Sequence, residues 1–286
     1  MSFIIWIGGK TKVLPALEQH VPKKYFYRYF EPFLGSGALA LHLMDEKSEF
    51  KASQWHLGDD NPNLIGAWKT VKDEPLSLLH QLGKLEKAHR ADSNECYYKT
   101  RDKYNAFKIS KHFDPETPYG SLIEQAARFI YLTRTNYNGL YRVNKKGEYN
   151  ASLGSRKFPV IVDEFNIHKC SQLLNKHDVF FMSADYTHTF YSYPKENDFI
   201  YLDPPYWCNY TRYTAKGFSW ENQVTVHAYA REWADAGAQV MISNSDNPEI
   251  RELYKDFNIH EIMSPRTINT DTKGRRAVTE LVMTSY

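Results

Sequence analysis

Two blocks of the chain, residues 25 to 65 and 178 to 285, alternate short and nearly uninterrupted apolar runs with helical patterns. The strand candidates are Tyr27 to Phe30, Trp55 to Leu57, Val179 to Met182, Phe199 to Leu202, Gln239 to Ile242 and Ala277 to Thr284. Helices such as Ser36 to Met44 and Val224 to Ala236 lie between them. A strand that is apolar at consecutive positions has to be covered on both faces, which is the condition of a parallel sheet sandwiched by helices. The pattern predicts an α/β fold built on a doubly wound sheet. Between about residues 70 and 165 the alternation stops and the text becomes helical and polar, in Ser77 to His89, Glu95 to Ser110 and Leu122 to Thr135. That stretch is expected to form an inserted, mainly helical subdomain over 70–165, carried by a domain assembled from 1–69 and 166–286.

The chain has 286 residues, 42% of them hydrophobic and 24% charged, with 21 Tyr, 16 Phe and 6 Trp. So much aromatic surface supports a sizeable core and excludes a disordered or fibrous protein. No run approaches the roughly 18 apolar residues of a membrane span. The short run Phe3 to Ile7 has no basic leader, so a cytoplasmic protein without a membrane partner is expected. The three cysteines, Cys96, Cys170 and Cys208, include no CxxC pair, which argues against a disulfide framework and a zinc ribbon. No metal is expected. The net charge of only +2 gives no reason by itself to expect a nucleic-acid partner.

Three motifs carry chemistry. Glu31-Pro32-Phe33-Leu34-Gly35-Ser36-Gly37 follows a strand candidate and opens a helix, so its glycines let a ligand lie against the backbone. Asp59 ends the next strand candidate, where a carboxylate accepts both hydroxyls of an adenosine ribose; a cofactor of the NAD or of the S-adenosylmethionine kind fits equally. Near the N-terminus, Gly9-Lys10-Thr11 resembles the end of a phosphate-binding loop, but Ile4 stands where that motif needs its first glycine, which excludes a nucleoside triphosphatase. The decisive motif is Asp203-Pro204-Pro205-Tyr206, at the end of the apolar strand Phe199 to Leu202. Two prolines stop the strand and present a carboxylate and a fixed carbonyl at the sheet's carboxyl edge. Such a pair suits an exocyclic amine whose lone pair is delocalised into its ring. Hydrogen bonds from both amine hydrogens favour a pyramidal nitrogen able to attack a sulfonium methyl, while Tyr206 stacks on the base.

With these residues in this order the chain resembles the DNA adenine-N6 methyltransferases of the Dam type. Trp6 to Lys10, Glu31 to Gly37, Asp59, Asn138 to Asn144, Asp203 to Tyr206 and Ile242 to Ser245 follow the sequence of motifs of the alpha subgroup. The resemblance implies a Rossmann-like methyltransferase sheet with an inserted target-recognition subdomain, and S-adenosyl-L-methionine as methyl donor. It implies that Trp6, Lys10, Asp59 and Asp185 contact that donor, with backbone around Phe33 to Gly35, and that Asp203 lies beside its methionine end. It marks Asn138, Leu140 and Arg142 as base readers, Arg142 at a guanine, and makes double-stranded DNA the partner and a flipped adenine the substrate. The implied target is GATC. Two departures bear on the outer base pair: Ile5 replaces a common Lys before the Trp, and Ser152 stands near where a late Pro is usual.

The charge distribution agrees with a DNA partner. Residues 134 to 158 hold Arg134, Arg142, Lys145, Lys146, Arg156 and Lys157 against Glu148 alone, and residues 266 to 276 hold Arg266, Lys273, Arg275 and Arg276 against Asp271. Cations neutralise phosphates, and Asn and Arg read base edges. Lys145, Arg156, Lys273 and Arg275 are therefore expected to touch DNA. The resemblance also raises pairing with a restriction endonuclease; a monomer is the default. Rival readings are a methyltransferase acting on RNA or on a protein glutamine, a catalytically silent DNA-binding module, and an oxidoreductase using NAD. The last leaves Asp203 to Tyr206 without a role.

Overall fold

The computed structural model describes residues 2–107, 119–188, 193–207, 218–265 and 277–286. In chain order its helices and strands are α1 (Leu14–Glu18), β1 (Tyr25–Glu31), α2 (Ala38–Leu43), β2 (Lys51–Asp59), α3 (Pro62–Asp73), α4 (Pro75–Ala91), α5 (Ser93–Ala106) and α6 (Tyr119–Thr135). They continue with α7 (Glu164–Lys176), β3 (Asp178–Ser183), β4 (Asp198–Leu202), α8 (Trp220–Asp235), β5 (Gln239–Ser245), α9 (Pro248–Leu253), β6 (Asn258–Pro265) and β7 (Ala277–Thr284).

The strands form one seven-stranded sheet in the order β3-β2-β1-β4-β5-β7-β6. The first five run parallel, and β7 enters antiparallel between β5 and β6. All six strand candidates are present. The strand Asn258–Pro265, which the apolar runs do not announce, is an edge strand whose Ile262 is buried between exposed Glu261 and Met263. Helix starts follow local chemistry. Asn61 accepts from Asn63 and Leu64 N–H to cap α3, Asp92 caps α5, Asp163 caps α7, and Ser219 forms a reciprocal capping box with Asn222 at α8.

The strand order reverses between β1 and β4, whose pairing sets Phe30 beside Ile200. The glycine-rich loop after β1 and the Asp-Pro-Pro-Tyr turn after β4 therefore leave the same carboxyl edge side by side, at the crevice where open α/β sheets bind ligands. At the opposite end of this pair Arg28 meets Asp198 with two guanidinium hydrogen bonds, and both side chains are buried. This bidentate contact fixes the two strands against sliding. One apolar cluster runs from the sheet (Trp55, Phe199) through α3 (Trp68) into the helical insert (Tyr97, Tyr131), so the insert is packed onto the sheet rather than hung from it. Cys96 and Cys170 are free thiols, and burial pushes that of Cys170 up to about 12; Cys208 lies outside the described residues. Among the described residues no helix is long and apolar enough to cross a membrane.

Candidate active site

The loop after β1 turns on two glycines in the left-handed region, Gly35 at φ +48° and Gly37 at φ +56°. A Cβ on Gly37 would stand 2.6 Å from the ring of the buried Trp68, and one on Gly35 would stand 2.9 Å from Trp6. Both positions thus require glycine for conformation and for space. Trp68 donates its indole N–H to the Gly35 carbonyl, while Asp59 at the end of β2 accepts the Gly35 N–H and the Asn61 N–H. Burial pushes the Asp59 carboxyl up to about 6 against those two hydrogen bonds. Phe33 stacks on Tyr186, just after Asp185, whose Oδ1 accepts from the Thr187 N–H and hydroxyl.

Trp6 lies over this loop with its ring 5.4 Å from Tyr141 of the insert and 6.0 Å from Phe129. Four residues later Lys10 turns inward. Its ammonium donates to the Gly8 carbonyl, lies 2.7 Å from Asp203 Oδ1, and sits 4.6 Å from the centre of the Tyr206 ring. Burial raises the Asp203 carboxyl above the usual carboxylate range although Lys10 opposes it. Asp203 Oδ1 is buried and faces the Lys10 ammonium, and the carboxylate's remaining lone pairs keep it able to accept further hydrogen bonds. Tyr206 donates its hydroxyl to Glu280 Oε2 at 2.7 Å; burial, with the Asp203 and Glu280 carboxylates beside it, holds its phenol well above the ordinary range.

Sequence reasoning missed two contributors, Glu280 and Gln223, and gave no role to a third, Asn244, which lies within the Ile242 to Ser245 motif. Glu280 is a single carboxylate in an otherwise apolar and neutral last strand, which is a usable signal. Gln223 and Asn244 are wholly buried amides behind the turn, and only packing reveals Gln223. Beneath the loop, Glu31 accepts the Tyr29 hydroxyl at 2.7 Å and is 2% exposed. Burial pushes it up to about 8; the Tyr29 bond opposes this, and the Asp203 charge adds to it. Between about 4.5, where a free Glu ionises, and about 8, the folded chain keeps a proton that the unfolded chain has lost. Stability from this group is therefore complete below that window, declines as pH rises through it, and is gone above it. Glu31→Gln, which keeps the shape of the protonated acid, is expected to flatten this decline. Melting curves from about pH 5 to 8 check it, and parallel profiles for the two proteins would contradict it.

The loop that follows α6 is anchored on the insert by Asn105, which donates to the Tyr149 carbonyl and accepts the Tyr149 N–H. Asn138 is exposed with φ +57°, Leu140 is half-buried, and Arg142 is exposed with its guanidinium bonded to the Asn150 side chain and carbonyl. Lys145 and Arg156 are exposed as well. Arg134 is not part of this surface. Buried under the loop, it donates to the Phe3 and Val160 carbonyls and pairs with Asp163 at 2.9 Å. Ile5 faces Gly139 so closely that a Cβ there would stand 2.5 Å from it. Lys273 and Arg275, with the rest of the second basic cluster, lie outside the described residues.

A carboxylate with spare acceptor capacity, an aromatic ring and a glycine cradle thus share one crevice. The D12 class N6 adenine-specific DNA methyltransferase family matches residues 6–268, from Trp6 through the Asp203 turn. The chain belongs to this family. Among proteins similar to this D12 methyltransferase is the type II methyltransferase M1.LlaDCHI of Lactococcus lactis subsp. cremoris, 36% identical over 99% of this chain and 95% of the relative. The type II methyltransferase M.MjaIII of Methanocaldococcus jannaschii is 34% identical over 99% and 98% of the two chains. The DNA adenine methylase of Escherichia coli K12 is 29% identical over 98% and 94%. Among the described residues of the D12 enzyme no cluster of three or more His, Cys, Asp or Glu side chains is placed to hold a metal ion.

Proposed function

We propose that this D12 enzyme methylates N6 of an adenine that it extrudes from duplex DNA, within GATC or a site related to it at the outer base pair. The observation that carries the reading is the meeting of the Asp203 carboxylate, the Tyr206 ring and Lys10 at the mouth of the glycine loop. The residues present fit S-adenosyl-L-methionine. Gly35 lets the Trp6 ring seat against the loop where a Cβ would clash with it, and the buried Asp203 carboxylate, with two lone pairs on each oxygen, keeps acceptor capacity beyond its contact with Lys10. When bound, that cofactor supplies an electrophilic sulfonium methyl.

The chain's own groups do the rest. Asp59 receives the ribose hydroxyls, for which it has to be ionised, so cofactor affinity is expected to weaken as pH falls through about 6. Trp6, Phe33 and Asp185 line the adenosine side, and Lys10 neutralises the methionine carboxylate. Tyr206 stacks on the extruded base. The Asp203 carboxylate and the Pro204 carbonyl accept the two N6 hydrogens and so free the nitrogen lone pair for in-line attack. Extrusion costs a few kcal/mol of unstacking, offset by phosphate contacts and by stacking in the pocket.

Asn138, Leu140 and Arg142 read base edges, and Lys145, Arg156, Lys273 and Arg275 hold phosphates. Ile5, packed on Gly139, brings no hydrogen-bonding group to the outer base pair. Removing Lys145 or Arg156 is expected to lower the dependence of log affinity on log salt by about one each, without changing the preferred site. Arg142→Ala is expected to lose about 1–3 kcal/mol of discrimination at one guanine. Salt-independent binding by the wild type would remove the phosphate assignment. Extrusion is tested with 2-aminopurine in place of the target adenine: binding raises its fluorescence, and an unchanged signal in a bound complex excludes flipping. Two relatives named type II methyltransferases support a pairing with a restriction endonuclease.

A further inference from the structure

The Asp-Pro-Pro-Tyr turn is held from behind by a polar chain with one consistent polarity. Gln223 Nε2 donates to the Pro205 carbonyl at 2.8 Å, Asn244 Nδ2 donates to Gln223 Oε1 at 2.9 Å, and the Trp207 N–H donates to Asn244 Oδ1 at 3.1 Å. Both amide side chains are 0% exposed. A carbonyl at one end and an N–H at the other allow only this orientation of the two amides, since flipping either would set oxygen against oxygen or N–H against N–H. The Pro205 carbonyl belongs to the peptide plane before Tyr206, and the Trp207 N–H to the plane after it. One buried amide pair therefore fixes both backbone rotations of Tyr206. The Tyr206 hydroxyl, bonded to Glu280, fixes the far end of the side chain, and the Trp207 carbonyl is taken by Ser245 Oγ and Asn247 Nδ2. None of these partners lies within the four-residue motif.

We propose that the Gln223–Asn244 amide pair is a positioning device for the adenine pocket, setting the plane of the Tyr206 ring and, through the ring-locked Pro205, the direction of the Pro204 carbonyl. The inference rests on the reading of Tyr206 as the stacking residue. Gln223 touches no reacting atom. It acts by holding the acceptor geometry in which the N6 lone pair points along the transfer axis, and misplacement on the order of an ångström is enough to slow such a reaction strongly. Helix α8, which carries Gln223, and strand β5, which carries Asn244, are both rigid elements, so the turn inherits their order.

Gln223→Glu and Asn244→Asp test this in the full chain, because each keeps side-chain volume but removes one donor of the chain: the first takes away the Nε2 donor to the Pro205 carbonyl, the second the Nδ2 donor that orients Gln223. The single-turnover rate of methyl transfer to duplex DNA is expected to fall about tenfold or more. Affinities for duplex and for S-adenosyl-L-methionine are expected to stay within about twofold of wild type. In the same variants, 2-aminopurine at the target position is expected to show greater local mobility by time-resolved anisotropy. Gln223→Met, an apolar replacement of similar length, gives the same split if the acidic variants do not fold. An unchanged rate in the folded variants overturns the inference, as does a parallel fall of rate, both affinities and melting temperature in all of them. A wild type that methylates no duplex DNA overturns the underlying reading and this inference with it; an active wild type with unaffected variants overturns this inference alone.

Discussion

Asp203→Ala is expected to lower the rate of methyl transfer to duplex DNA by about a hundred- to a thousandfold, while a folded variant still binds duplex. The carboxylate is placed at the carboxyl edge by β4 and cannot be replaced by a neighbour. Glu280 is committed to the Tyr206 hydroxyl, and Glu31 lies beneath the loop bonded to Tyr29. Asp203→Asn keeps the volume and one acceptor, so it should retain more activity than Ala. Because burial raises the Asp203 carboxyl, the acid limb of the wild-type rate profile is expected above the range of an ordinary carboxylate, and it should vanish in Asp203→Asn. Lys10 loses its partner in both variants, so melting temperatures accompany the rates. Full activity of Asp203→Ala would remove the proposed chemistry.

Arg134→Ala is expected to be the most damaging single change among the basic residues of 134 to 158, and to act on stability rather than on DNA binding. Arg134 is a buried cation with four hydrogen bonds, to Phe3 (twice), Val160 and Asp163, and it ties the N-terminal segment and the entrance of α7 to the end of α6. Breaking such a pair by removing one partner costs about 3–5 kcal/mol, since Asp163 and two carbonyls lose their donors together. Arg134→Lys does not restore it, because an ammonium lacks the planar fork that reaches three acceptors. Denaturant unfolding reads the loss. A normal midpoint combined with weakened DNA binding would return Arg134 to the DNA surface.

That contrast shows what the sequence could and could not carry. Strands β4 and β5 are legible because burial on both faces leaves continuous apolar runs, β2 and β3 only from their short apolar stretches since alternate residues are exposed, and the Asp203 to Tyr206 turn because two prolines after such a run have few structural uses. The edge strand Asn258–Pro265 is not, because half-exposed strands mix polar and apolar residues. Charge counting placed Arg134 with Lys145 and Arg156, since composition registers sign but not burial. Gln223 and Glu280 reach the turn from positions 18 and 74 residues away in sequence, brought there only by the packing of α8 and the insertion of β7 beside β5. The glycines at 35 and 37 signalled a ligand loop, yet their immediate constraint is the pair of tryptophans packed against them, Trp6 and Trp68.

The central claim is methylation of adenine N6 in duplex DNA at one short site. Its most direct test is incubation of the purified chain with duplex DNA, RNA and protein acceptors and S-adenosyl-L-methionine labelled in its methyl group, followed by nucleoside analysis and mapping of the modified positions. Label is expected in N6-methyldeoxyadenosine at GATC or at a site differing from it at the outer base pair. Label on RNA or protein, methylation of cytosine instead of adenine, or no transfer to any duplex would contradict it.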